Sequence, residues 1–141
     1  MRARPCLDRG AAIVEFALAW PVALLLVLGC VELAVWGAEA YAVRSAALAG
    51  ARAASVAGAT ADVAARLAQR SLAPSLVGVT ASIWCPGPTS QPGGVWICAR
   101  DHGTVMEVDI GGSVPALVPM IMSAGLPVHA RAVVQKETFV R

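Results

Sequence analysis

The sequence predicts an α+β fold in which one N-terminal transmembrane helix continues into an alanine-rich helical stretch packed on a small antiparallel sheet. Three observations support this prediction. The composition is 57% hydrophobic and only 14% charged, which is too apolar for an ordinary soluble chain of 141 residues. A charge-free segment runs from Phe16 to Val31, and alternation of apolar and polar residues begins after Pro74. The chain therefore divides into a short leader, a transmembrane helix, a helical region outside the membrane and a small β domain, at residues 1–10, 11–38, 39–73 and 74–141.

The transmembrane helix is predicted from its length and from the charges at its ends. The segment from Phe16 to Val31 would rise roughly 24 Å as a helix, slightly less than a bilayer core of about 30 Å, so the span extends beyond it on both sides. Glu15 and Glu32 then lie near opposite edges of the lipid, where a carboxylate reaches interfacial water. The N-terminus is predicted to stay in the cytoplasm and the rest to lie outside, because basic residues precede the span: Arg2, Arg4 and Arg9.

The region after the span is predicted to stay helical. Trp36 and Tyr41 stand where an outer aromatic belt is expected. No proline occurs from Ala38 to Leu72, and alanine, the best helix former, dominates. A break near Gly58 favours two helices over one. A face of small residues permits close approach of another membrane helix or of the protein's own sheet, with the sheet favoured beyond Ala53: Ala42, Ala46, Ala49 and Ala53.

Four strands are predicted after Pro74, at residues 77–85, 95–100, 104–110 and 126–140, with a Pro/Gly-rich loop at 86–94. The alternation in the last two strands indicates which side chains face the helices: Met106, Val108, Ile110, Val128, Ala130, Ala132 and Val134. Glu107 and Asp109 are expected on the opposite face.

Cys85 and Cys98 flank the Pro/Gly-rich loop at the facing ends of two adjacent strands. The compartment outside the membrane is oxidising, so a disulfide is predicted, with two free thiols as the alternative. A metal site is disfavoured because no other cysteine or histidine has ligand spacing.

No catalytic or nucleic-acid-binding pattern stands out. His102 lies beside Asp101 and His129 is alone, and no nucleophile motif or glycine-rich phosphate loop is present. The basic residues are scattered rather than gathered in a stripe with aromatic residues, which disfavours nucleic acid as a partner. We expect no enzymatic activity and no cofactor.

The N-terminal segment RGAAIVEFALAWPVALLLVLGCVEL, with the later Ala51-Arg52 pair, resembles the TadE family. These are pseudopilin-like proteins of the tight-adherence (Tad) system that builds Flp pili. The residues that match the family pattern one by one are Val14, Glu15, Phe16, Ala17, Leu18, Pro21, Glu32, Ala51 and Arg52.

The resemblance implies a pilin-like fold and a role in assembly. It implies cleavage by a prepilin peptidase between Gly10 and Ala11, which makes Glu15 the fifth mature residue, followed by Phe16. In such assemblies the new amino terminus pairs with this carboxylate on a neighbouring helix, and Glu32 belongs to the same assembly motif. The alternative is that Glu15 only reaches the cytoplasmic interface. The implied partners are other pseudopilins or pilin subunits, the inner-membrane assembly platform and membrane lipid.

A second interpretation places the anchor elsewhere. Val27-Leu28-Gly29-Cys30 resembles a lipobox, which would make the chain a membrane-anchored, lipidated binding module outside the cytoplasm. Two features disfavour it: the apolar helix continues past Cys30, and leucine before the glycine is a poor fit.

The segment PALVPMIMSAGLP, residues 115–127, is apolar yet too rich in proline and glycine for a regular element. Its side chains, Met120 and Ile121 among them, are expected either in the core or on a docking surface for a sister pseudopilin or the outer leaflet.

Overall fold

The computed structural model describes residues 7–56, 58–117 and 125–137, with side chains from residue 12 onward. The first six residues of the predicted leader, the residues Met120 and Ile121, and the end of the predicted fourth strand lie outside these residues. The elements, in chain order, are helices α1 (Leu7–Ala53) and α2 (Ala61–Leu72), a 3-10 turn (Ala73–Ser75), and strands β1 (Ala81–Ile83), β2 (Val95–Asp101), β3 (Val105–Val114) and β4 (Leu126–Gln135). The α+β fold class is confirmed.

The chain forms two compact units, Met1–Ala34 and Val35–Arg141, here called the N-terminal unit and the C-terminal unit. Helix α1 supplies residues to both. The described residues of the N-terminal unit all belong to α1, and the helix continues without a break through Pro21. The C-terminal unit holds the rest of α1, the second helix and the sheet.

The sheet has the order β1-β2-β3-β4, in which β3 is antiparallel to both β2 and β4. Strand β1 is parallel to β2, with Ala81 opposite Val95 and Ile83 opposite Ile97. The prediction of a purely antiparallel sheet was therefore wrong, and the sheet is mixed. The cause is the path of residues 84–94, which bring the chain back to the start of β2 instead of reversing it in a tight hairpin.

Both helices cover one face of the sheet. The residues predicted to face the helices from β3, Met106, Val108 and Ile110, are fully buried, which confirms the alternation there. From β4, Val128 and Ala132 are buried. The helices and the turn that follows α1 contribute this buried set to the core: Val43, Ala46, Ala47, Ala51, Ala54, Ala64, Ala65, Ala68 and Leu72.

The packed face of α1 differs from the predicted one. Ala42, Ala49 and Ala53 are only half-buried, whereas Val43, Ala47 and Ala51 are buried. Val43, Ala46 and Ala47 belong to the same core as the sheet residues, so the packing of α1 on the protein's own core is not confined to the part beyond Ala53. A face made almost wholly of alanine has little contrast in size or polarity, so the sequence does not fix its rotation.

The predicted break near Gly58 is confirmed between α1 and α2. Gly58 has a φ of +86°, a left-handed conformation that favours glycine. The two helices then approach closely at Gly50, where an added Cβ would lie 2.7 Å from the backbone oxygen of Ala64. On the outer side of α2, Arg66 Nε donates to the carboxylate of Asp62, one turn away, at 2.8 Å.

Candidate functional site

The N-terminal unit exposes an almost continuous apolar surface. Phe16 and Leu18 are 67% and 71% exposed, and within Ala12–Ala53 an 18-residue window of mean hydropathy 2.3 has none of its residues buried. Burial of such side chains is the main favourable term in folding, so a helix that leaves them all uncovered needs an apolar environment. Among the described residues, this is one helix long and apolar enough to cross a membrane, as in a membrane-anchored, single-pass protein.

The predicted processing and assembly residues lie along this helix. Gly10 and Ala11 fall inside α1, but their side chains are outside the described set. The Glu15 side chain is exposed, and within the described part of the chain it has no hydrogen-bond or ion-pair partner. The neighbouring Phe16 ring stacks on Trp20, one turn further along, with ring centroids 5.9 Å apart.

The structure does not bring the two predicted assembly carboxylates together. Glu15 and Glu32 are separated by seventeen residues of one helix, which corresponds to about 26 Å along its axis. Glu32 is half-buried and takes part in a contact of its own. Any joint role of the two carboxylates therefore acts through separate contacts near opposite ends of the span.

Cys85 and Cys98 form a disulfide, with Cα atoms 4.7 Å apart. Cys98 is a buried residue of β2, and Cys85 follows β1. The bridge does not close a hairpin, because the two strands run parallel. It holds the loop of residues 86–94 beside the sheet, where the Trp84 ring packs edge-on against Trp96 at 5.8 Å.

Two contacts that the sequence did not indicate attach α1 to loops of the C-terminal unit. Glu39 is 4% exposed, and its carboxylate accepts a hydrogen bond from the backbone N–H of Val77 at 3.2 Å. Trp36 Nε1 donates to the carbonyl oxygen of Pro127 at 3.1 Å, and its ring packs partly against the core. The aromatic belt at Trp36 and Tyr41 stays a prediction, with Trp36 half-buried and Tyr41 75% exposed. One sequence feature could have indicated the burial of Glu39. It lies four residues before the buried Val43, on the same face of α1.

The outer face of the sheet carries Glu107, as predicted, but its burial was missed. The carboxylate is 8% exposed and accepts a hydrogen bond from Arg131 at 2.7 Å, with His102 Nε2 at 3.3 Å and Arg100 at 3.6 Å. The hydrogen bond from Arg131 lowers the pKa of Glu107, against the opposing effect of burial. On the same face, His129 Nε2 lies 2.9 Å from a carboxylate oxygen of Asp109.

A further ion pair lies at the end of the sheet. Lys136 Nζ donates to Asp101 at 2.6 Å, and this bond, helped by the backbone N–H of Gly103, lowers the pKa of Asp101. His102, adjacent to Asp101 in sequence, instead contacts Glu107. These acidic groups neutralise nearby bases, and no group of three or more metal-binding side chains is found among the described residues.

Comparison with known families gives one match. Residues 10–52 match the family described as TadE-like protein, which confirms the resemblance over this part of the chain. The matched range begins at Gly10 and covers the uncovered apolar helix with Glu15 and Glu32. Comparisons with curated proteins and with solved structures find no match.

Proposed function

We propose that this chain is a pseudopilin-like or minor-pilin-like subunit that serves the assembly of Flp-type pili by the Tad secretion and adherence system. The observation that carries the proposal is the TadE-like match over residues 10–52, which falls on a helix whose apolar side chains the protein leaves uncovered. We place the chain in the inner membrane as a single-pass protein with a cytoplasmic N-terminus. Its role is structural rather than catalytic, and its partners are a prepilin peptidase, sister subunits, the assembly platform and lipid.

The chemistry of the proposed assembly step centres on Glu15. An unpaired carboxylate within the apolar segment costs at least a few kcal/mol. Cleavage after Gly10 would create a positively charged amine on Ala11, four residues before Glu15 and on the same side of the helix. A neighbouring copy or sister subunit can offer this amine to the carboxylate. In a low dielectric the attraction between the two charges offsets the cost of removing each of them from water. Such a pair also sets the axial register between adjacent helices.

The first test is the identity of the mature N-terminus. Chain purified from membranes of cells with a prepilin peptidase should have an intact mass that begins at Ala11. In cells without the peptidase, the mass should begin at Met1. A mature N-terminus at a lipidated Cys30 would favour the lipoprotein interpretation, and an uncut chain in the presence of the peptidase would contradict the proposal.

The second test replaces Glu15. Glu15→Gln keeps the size of the side chain and removes its charge, and Glu15→Ala removes both. Both variants should remain resistant to carbonate extraction, since a more apolar span inserts at least as well. Both should lose piliation, counted by electron microscopy in cells that carry only the variant. Leu18→Ala, one turn away on the exposed apolar surface, is the matched control and should retain pili. Normal piliation with Glu15→Gln would leave Glu15 as a residue that only reaches the interface.

A further inference from the structure

One end of the C-terminal unit has an exposed apolar surface. The exposed Arg70 lies at its side, where it lines the same pocket as Val79 and Thr80. We define the apolar end surface as Val77, Gly78, Pro115, Leu117 and Pro127. Val77 and Leu117 are 55% and 50% exposed, and both prolines are exposed. The two loops touch, since a Cβ added to Gly78 would lie 3.5 Å from Pro115 Cγ. No Asp, Glu, Lys, Arg or His occurs in the segments that build this end, residues 71–84, 110–117 and 125–128.

The opposite end of the same unit is rich in charge. Lys136 N–H donates to the Thr104 carbonyl and Glu137 N–H to the Ser55 carbonyl, so three turns meet there. These turns and their flanks carry the following charged residues: Arg52, Asp101, Lys136 and Glu137. The ten residues of β4 connect the two ends, a separation of about 30 Å. The unit is therefore polarised along the strand direction.

The apolar end surface is tied to the first residues of α1 in this unit. Trp36 binds the carbonyl of Pro127, and Glu39 binds the N–H of Val77. Trp36 follows Ala34, the last residue of the N-terminal unit, by two positions. Because that unit is the candidate membrane span, these loops are bonded to residues that lie at or just behind the end of the span in the chain. An exposed apolar surface with an arginine at its side suits a bilayer interface, where arginine keeps its charged head among the headgroups, whereas the charged end would have to lose its hydration there.

We propose that the apolar end surface docks on the lipid leaflet from which α1 emerges, with Val77 and Leu117 inserted among the headgroups. This rests on the membrane anchoring in the proposed function but not on pilus assembly. Docking limits the positions that the folded unit can take above the membrane, which presents the charged end and the helical face to other subunits.

The test uses the full chain in lipid nanodiscs of phosphatidylcholine and phosphatidylglycerol, in which both leaflets face solvent. In a background with Cys6→Ser and Cys30→Ser and with the Cys85–Cys98 disulfide left oxidised, a fluorescent label is attached to Val77→Cys, Leu117→Cys or Val56→Cys. Val56, at the charged end, is the matched control because it is 52% exposed. The Val77 and Leu117 labels should be quenched several-fold more by doxyl-labelled lipid, and several-fold less by iodide, than the Val56 label.

The outcomes separate this proposal from the anchoring on which it rests. Equal iodide quenching at all three positions, in chain that resists carbonate extraction, overturns the docking and leaves the anchor intact. Protection from iodide without quenching by doxyl lipid overturns it in favour of a second copy of the chain. Extraction by carbonate overturns both proposals. In a second variant, Val77→Asp should restore iodide quenching of the Leu117 label, whereas Val56→Asp should not; no change with Val77→Asp also contradicts docking.

Discussion

Replacement of Gly50 by alanine tests the packing of α1 on α2, which organises the helical layer. A Cβ at this position would lie 2.7 Å from the backbone oxygen of Ala64 and 2.9 Å from the Cβ of Ala68. A backbone oxygen cannot rotate away, so α2 must shift as a whole. Overpacking costs about 1–3 kcal/mol, and the better helix propensity of alanine offsets roughly 1 kcal/mol. Since the obstacle is backbone, we expect the upper part of the range and a net loss of about 1–2 kcal/mol.

Gly37→Ala is the matched control. Gly37 lies in the same helix, is exposed, and has no atom within 4 Å of an added Cβ. The propensity gain should therefore appear alone, as stabilisation by up to about 1 kcal/mol. The two substitutions are chemically identical, so the opposite signs expected for them isolate the contact with α2.

The assay is thermal unfolding of the full chain in detergent micelles, followed by near-ultraviolet circular dichroism, which reports the packing of Trp84 on Trp96. For a unit of this size, each kcal/mol shifts the midpoint by about 4–8 °C. Gly50→Ala should melt below the unchanged chain and Gly37→Ala at or above it. If Gly50→Ala melts as high as Gly37→Ala, the close approach of α1 and α2 at this position is wrong.

Two further predictions concern the sheet. In the folded state the pKa of Glu107 is depressed below its ordinary value of 4.5. The ionised carboxylate therefore stabilises the fold at pH values above 4.5, and this stability is lost as the pH falls through the folded-state pKa. Glu107→Gln should therefore cost about 1 kcal/mol at neutral pH and flatten the acid limb of the denaturation profile; an unchanged acid limb would contradict a role for the Arg131 hydrogen bond. Joint replacement of Cys85 and Cys98 by alanine should cost about 3 kcal/mol from the entropy of the short loop, less any strain. Alkylation of both thiols in unreduced, exported chain would argue against the bridge.

The strands of the sheet could be predicted from sequence better than their pairing. Alternation locates β3 and β4 and the side chains that face the helices, because a half-buried strand has a period of two residues. No comparable sequence pattern indicates whether two paired strands run parallel or antiparallel. Cys85 and Cys98 can meet whether β1 runs parallel or antiparallel to β2, since a contact between two residues does not encode strand direction. Strand β1 has only three residues, so the β-propensity of its residues gives little information about where it begins and ends.

The helical layer shows a different limit. The apolar span and the break at Gly58 follow from charge and backbone freedom, which are local properties. The rotation of α1 between Ala42 and Ala53 depends on where α2 approaches, and the close contact at Gly50 is a property of the folded pair. Glu39 was missed for a related reason, because its partner is a backbone N–H thirty-eight residues away.

If the chain serves pilus assembly as proposed, the distribution of charge suits its two units to different roles in it. In the C-terminal unit the carboxylates of Asp62, Asp101, Glu107 and Asp109 each lie within reach of a basic side chain of the same unit. Pairs at an aqueous surface are worth little and weaken in salt, so they cannot supply a strong, directional contact between subunits. Glu15 differs, because it lies on an uncovered apolar helix and has no partner among the described residues. Under the proposed function, a contact formed there would be shielded from water and salt, and the amino terminus of a second, processed chain could complete it. On that proposal the N-terminal unit would supply the force that orders neighbouring subunits, and the folded C-terminal unit would set position at the membrane surface.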